Sequence, residues 1–197
     1  KYISMLSISR GRPDLFRESY LSALNNATFP NNIFIPLRID SDDTEENIDI
    51  YKNILRPQDK LIIGDPCNQS TAKLYQQLYN QFIGYDVYFC LSDDTICRTK
   101  NWDCMILSHF NRFPGGEISL ARINDGHDRA VLFFWTAKWI EALGFIFPQD
   151  LTGGEDSYLD ALATYFRNMG YRKHYKYLKN IMFEHVHCGF NTRPIDN

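Results

Sequence analysis

No stretch of this chain stays apolar for anything near the roughly 20 residues a membrane-spanning helix needs, so no bilayer span is expected. No secretory leader is visible, and Lys1 rather than Met opens the sequence, which leaves room for residues before it. Cysteine is scarce: five residues (67, 90, 97, 104 and 188), an odd number with no Cys-x-x-Cys pair. That argues against a disulfide framework and for free thiols in a reducing, cytoplasmic setting. A charge excess is missing as well. The formal net charge is −3, so the molecule as a whole has no pull toward nucleic acid or an anionic membrane, although a local basic groove stays open. No Gly-x-Gly-x-x-Gly follows the first strand-like run, and no phosphate loop ends in Gly-Lys-Ser/Thr. The common dinucleotide and mononucleotide sites are thereby disfavoured. Internal repeats, low-complexity tracts and linkers are also lacking.

What is present is globular. Hydrophobic residues make up 44% and charged residues 23% of 197, enough for one domain with its own core. Four short apolar runs read as strands: YISMLSI (2–8), NIFIPLRID (32–40), KLIIG (60–64) and YDVYFCL (85–91). Helical spacing separates them, in a helix opened by Pro13, an acidic stretch leading into EENIDIYKNIL, and NQSTAKLYQQLYNQF (68–82). This β-α-β-α-β-α-β order predicts a parallel sheet with helices on both faces. The second half is mixed. EISLARI (117–123) and AVLFFWT (130–136) read as strands, AKWIEALG as a helix stopped by Gly144, EDSYLDALATYFRNMG (155–170) as a helix stopped by Gly170, and KNIMFEHVHCGF (179–190) as a last strand.

In an open parallel sheet, ligands bind outside the carboxyl ends of the strands. Those ends deliver Ser9, Arg10, Gly11 and Arg12, then Asp40, Asp42 and Asp43, then Gly64 and Asp65, then Ser92, Asp93 and Asp94. Two arginines facing several carboxylates suit an anionic ligand bridged by a hard cation such as Mg²⁺ or Mn²⁺. The adjacent pair Asp93-Asp94 is, more plainly, also a solvated turn with a helix cap. Downstream, Glu155 and Asp156 follow a glycine pair at a helix start, which reads either as capping or as an aimed general base. His185 and His187 are two apart, hence on one face of a strand, and suit a metal; Cys188 beside them keeps Zn²⁺ open. YRKHYKYLK (171–179) interleaves basic and aromatic residues, as a solvated segment or as a contact for a polyanion.

The order of these motifs resembles that of GT-A-type glycosyltransferases, in the style of the family-two-like enzymes. The likeness covers nearly the whole chain. SISRGRPD resembles the opening strand and loop at the nucleotide, and RIDSDD the second-strand site for base and ribose. LSDDTICRTKNWD resembles the Asp-x-Asp region, ALGFIFPQDLTGGEDSYL the acceptor segment with its Glu-Asp pair, and FEHVH the late metal-shell histidine. One departure is plain: Ser92-Asp93-Asp94 stands where Asp-x-Asp is usual, and a serine cannot replace a carboxylate charge.

The resemblance implies a GT-A fold in one domain, with residues 1–94 binding the nucleotide sugar and 95–197 serving acceptor and catalysis. It implies an inverting, metal-dependent, hexosyltransferase-like enzyme using a nucleotide-diphosphate sugar, a UDP-sugar, and an acceptor hydroxyl on a glycan or similar molecule. Ser9, Arg10, Arg12, Asp40, Asp42, Asp65, Lys73 and Asp93 would bind the donor. Asp94, with His185 or His187, would hold Mn²⁺ or Mg²⁺. Asp156, beside Glu155, would be the general base, with Asp125, Asp128 and Asp150 as the fallback carboxylates. Arg122, His127 and Arg129 hint at a polar or anionic acceptor, and nucleic acid as acceptor is not favoured. Two other readings compete. A nucleotidyltransferase usually has a Gly-rich first loop with a lysine, and SRGRPD has one Gly and no Lys. A non-catalytic sugar- or polyanion-binding module would not need intact Asp94, Asp156 and His185.

Overall fold

The central apolar runs become strands because they can bury both faces under helices, while KLIIG forms an exposed edge. The structure, a computed structural model, describes residues 1–66, 70–126, 132–148, 151 and 155–186, the side chains of 155 and 156 excepted. In chain order the elements are β1 (Ile3–Ile8), α1 (Pro13–Asn25), a 3₁₀ turn (Pro30–Asn32), β2 (Ile33–Phe34), β3 (Pro36–Asp40), α2 (Glu45–Ile54) and β4 (Lys60–Gly64). Next come α3 (Thr71–Gln81), β5 (Val87–Ser92), β6 (Thr95–Cys97), α4 (Trp102–Arg112), β7 (Leu120–Asn124) and β8 (Phe133–Thr136). The chain continues with α5 (Ala137–Leu143), α6 (Glu155–Asn168), a second 3₁₀ turn (Arg172–His174) and β9 (Tyr175–His185).

The sheet runs β4-β3-β1-β5-β8-β7-β9-β6, with β2 beside β1. The strands β4, β3, β1 and β5 are parallel, as the alternation predicts. Polarity reverses at β8, which is antiparallel to β5, and again at β7; β9 then runs parallel to β7 and antiparallel to β6. The carboxyl ends of β1, β3, β4, β5, β7 and β9 therefore share one edge.

Two apolar layers cover the two faces. One packs Phe16, Tyr51, Trp102, Phe110, Phe134 and Phe183 under α1, α2 and α4. The other packs Tyr75, Phe133, Trp135, Trp139, Phe147 and Leu159 under α3, α5 and α6. The expected strand at 32–40 is broken at Ile35. Pro36 has no N–H for the ladder, and the Ile35 amide instead donates to Asp59 Oδ1 at 2.8 Å. Residues 102–112, to which no element is assigned from sequence, form α4, and β9 begins four residues earlier than expected. Gly144 does stop α5, in the left-handed conformation at φ 82°.

Trp102 joins α4 to α1. It is fully buried, its ring lies 5.2 Å from that of Phe183, and its Nε1–H donates to the Ala23 carbonyl at 2.8 Å. Trp102→Phe keeps most of the apolar volume and removes the donor. An unsatisfied buried carbonyl costs about 1–3 kcal/mol, and urea unfolding of this variant is expected to show a loss in that range.

Candidate functional site

Residues 9–12 leave β1 as a loop that three other elements hold. Ser9 Oγ donates to Asp93 Oδ2 at 2.7 Å and sits 2.8 Å from Tyr51 Oη. The Arg12 amide donates to the same tyrosine at 3.1 Å, and the Arg12 guanidinium pairs with Asp93 Oδ1 at 3.1 Å. Asp93 is 1% exposed, and Arg12 and Ser9 supply its buried partners. Burial pushes the Tyr51 hydroxyl above its usual pKa, more than the Ser9 and Arg12 hydrogen bonds lower it. Tyr51 thus stays a neutral linker.

Further along the edge, Arg10 bridges Asp42 at 2.7 Å and Asp40 at 3.4 Å from an exposed position. The Gly11 amide donates to Asp43 Oδ2 at 2.8 Å. Asp65 is exposed just past β4. Lys73 is exposed on α3, two residues from both Thr71 and Tyr75, the helix positions that line the cleft. It shares a helix face with Gln77, which borders a second pocket with Arg38 and Asp65.

Asp94 marks the middle of the edge. Its Oδ1 accepts from the Ser92 hydroxyl and lies 3.1 Å from His185 Nε2. The pairing follows from strand register, because Thr95 faces His185 across β6 and β9, and the His185 amide donates to the Asp125 carbonyl. Burial disfavours the charge on Asp94, yet His185, Ser92 and Arg12 together hold its pKa below the usual carboxylate value. A cleft of about 280 Å³ opens beside this pair, lined by Arg12, Ser92, Asp93 and His185 on one side and Tyr75, Phe133, Trp135 and Phe147 on the other.

Among the described residues no three His, Cys, Asp or Glu side chains converge as a complete metal cluster. The donor chemistry still fits a divalent cation shared with a phosphorylated ligand. Such a cation needs only one or two protein donors when phosphate oxygens fill the rest, and a carboxylate and an imidazole stand side by side. His187, Cys188, His127, Asp128, Arg129 and Asp150 lie outside the described residues. Glu155 and Asp156 occupy the first turn of α6.

No protein-family model matches this chain, and no curated protein matches it. Solved structures do. The mannosyltransferase PcManGT from Pyrobaculum calidifontis, in complex with GDP-Man and Mn²⁺, superposes with a TM-score of 0.70 at 13% identity, over 93% of this chain and 56% of that one. S. aureus TarS 1–349 in complex with UDP gives 0.64 at 12% identity, over 93% and 59%. Glucosyl-3-phosphoglycerate synthase from Mycobacterium tuberculosis, in complex with Mn²⁺, UDP and phosphoglyceric acid, gives 0.66 at 9% identity, over 98% and 72%. The fold is GT-A. The chain spans less than two thirds of PcManGT and of the TarS fragment.

On the GT-A scaffold, two residues of the edge are missing from the sequence-derived set. Tyr51 is one. The other is Arg38, 7% exposed, whose guanidinium donates to Asp40 Oδ1 and, at 2.6 Å, to the Asp65 carbonyl. It ties the end of β3 to the end of β4. Gly64 makes room for it: a Cβ there would come within 2.9 Å of Arg38 Nη2. The i,i+2 spacing of Arg38 and Asp40 puts both on one strand face, a signal present in the sequence. Arg38→Lys keeps the charge and loses the fork. One charge-assisted hydrogen bond is worth about 1.5–3 kcal/mol, and calorimetric unfolding is expected to show a loss of that size.

Proposed function

We propose that this chain transfers a sugar from a nucleotide-diphosphate sugar, a UDP-sugar, to an acceptor hydroxyl. The observation that carries the reading is the Asp94–His185 pair beside a cleft whose opposite wall is aromatic. Arg10 and Arg12 bring positive charge to the same edge, where a diphosphate would lie. Asp40, Asp42 and Asp65 stand at the ends of β3 and β4 as polar partners for ribose and base, and Lys73 contributes least. Residues 1–94 are the donor half and 95–197 the acceptor half.

Asp94 with His185, or His187 in its place, would hold Mn²⁺ or Mg²⁺; the Mn²⁺ bound in two of the similar structures supports this. A divalent cation there supplies positive charge against the departing nucleoside diphosphate. Arg12 adds to that charge from its salt bridge with Asp93. Asp156 takes the proton from the acceptor hydroxyl as it attacks the anomeric carbon, with Glu155 beside it. One displacement from the face opposite the diphosphate inverts that carbon.

A thermal-shift panel tests this. A ligand that binds only the folded state raises stability. UDP, GDP, ADP, CDP and UDP-sugars, each with and without Mn²⁺, are expected to give one base a metal-dependent rise in melting temperature. A flat panel, or a rise with no metal dependence, would refute the reading.

A further inference from the structure

We propose that Arg122 and Lys179 form a subsite for an anionic group, a phosphate or a carboxylate, carried by the acceptor; the assignment to an acceptor rests on the sugar-transfer reading above. Both cations stand on one aromatic ring. The Arg122 guanidinium carbon is 4.4 Å from the centre of the Tyr177 ring, and the Lys179 ammonium is 5.6 Å from the same centre. Each gains from the ring's negative face. Both are like charges at one ring, and an anion that reaches both gains from each.

The backbone brings them together by an irregularity. The β7–β9 register runs from Arg122↔Tyr177 to Ile123↔Leu178 and then jumps to Asn124↔Met182. Lys179, Asn180 and Ile181 are therefore extra residues on β9, and Asn124 Nδ2 donates to the Lys179 carbonyl at 3.5 Å. Bulges of this kind re-aim side chains and gather beside functional sites. Alternation along β9 also divides the basic run. Lys176 faces the α4 side with His109, whereas Tyr175 and Tyr177 face the other layer. A continuous stripe for nucleic acid is thus not formed, and a site for a single anionic group is.

The position fits the acceptor. Arg122 is the register partner of Phe133, and Phe133 lines the cleft. Adjacent strands are about 4.8 Å apart, so the guanidinium starts one strand from the cleft, on the side away from β1, β3 and β4. It also reaches the Tyr175 hydroxyl, whose pKa is raised by burial first and by Asp160 second. The guanidinium is thus positioned before any ligand arrives. Its planar fork suits a carboxylate or phosphate, and Lys179 adds a point charge.

The test is calorimetry on the full chain with glucose 6-phosphate, glucuronate and, as the neutral control, glucose. Both charged sugars are expected to bind more tightly than glucose. Lys179→Met and Arg122→Gln are each expected to weaken the charged sugars by about tenfold or more, the worth of a charge-assisted hydrogen bond. Glucose binding, and UDP affinity with Mn²⁺, should be unchanged in both. Lys179 is exposed, so its variant decides the matter even where Arg122→Gln lowers the melting temperature. Charged sugars that bind no better than glucose, or that bind the Lys179 variant as tightly as wild type, overturn the subsite. UDP binding without a charged-sugar preference sinks the subsite alone. A charged-sugar preference without any UDP binding keeps the subsite and sinks the sugar-transfer reading.

Discussion

Asp156→Asn is expected to lower kcat by about 10²–10⁴-fold, the usual contribution of a general base. The residue lies in the first turn of α6. A carboxylate there has two possible jobs, capping the helix or accepting a proton, and this substitution separates them. Asn is about as good a cap as Asp and nearly the same size. The lost charge at a helix start costs about 0.3–1 kcal/mol, so the melting temperature should barely move. Donor affinity should also hold. Glu155→Gln is the matched control and should keep far more activity, since one of the pair suffices to face the acceptor hydroxyl. Within a few-fold of wild type for Asp156→Asn, with Glu155→Gln dead, the roles are reversed. If both variants stay active, the next carboxylate to test is Asp125, 1% exposed at the end of β7, whose carbonyl holds the His185 amide.

Asp94→Asn should remove Mn²⁺-dependent binding of the nucleoside diphosphate. Loss of an outer-shell partner of a metal typically costs about 10–100-fold in affinity, and loss of a direct ligand should exceed that. The structure sharpens the control. Asp93 is the neighbour in sequence, but its oxygens meet Ser9 and Arg12 inside the protein, not the imidazole of His185. Asp93→Asn should therefore lower stability and shift the loop, with a smaller effect on metal dependence. His185→Ala should follow Asp94→Asn. Titration calorimetry with UDP, with and without Mn²⁺, separates these outcomes. Equal Mn²⁺ dependence in wild type and Asp94→Asn would place the cation elsewhere.

The parallel first half is legible in the sequence because its rules are local. Short apolar runs mark β1, β4 and β5 to within two residues, although only β1 and β5 are buried and β4 is the exposed edge strand, and the alternation with helices dictates their parallel order. The carboxyl-end rule then finds Ser9, Arg12, Asp93 and Asp94, which the fold does bring together. The rule is blind to side chains that arrive from elsewhere. Tyr51 reaches Ser9 from inside α2, and nothing in EENIDIYKNIL says which face of that helix will cross the end of β1. Arg38 was hidden differently: an arginine in a strand reads as an exposed position until a glycine on the next strand makes room for it. The helix α4 carries no clear apolar stripe in sequence, because Met105 and Leu107 add apolar residues next to the buried Trp102, Ile106 and Phe110 while Asp103, Cys104, Ser108 and His109 favour helix only weakly. Its start is also set from afar, since Asp103 accepts the amides of Thr28 and Phe29.

The polarity reversal at β8 has a consequence in time. The parallel strands β1, β3, β4 and β5 come first in the chain and pair with one another. His185 is on β9, far along the chain from Asp94, and meets it only when β9 lies against both β7 and β6. Pairings between distant parts of a chain form slowly, since the loop between them must first be closed. During synthesis, then, a growing chain can hold the loop of Ser9, Arg12 and Asp93 while Asp94 still lacks its imidazole. A growing chain that has not yet placed β9 has no Asp94–His185 pair at all.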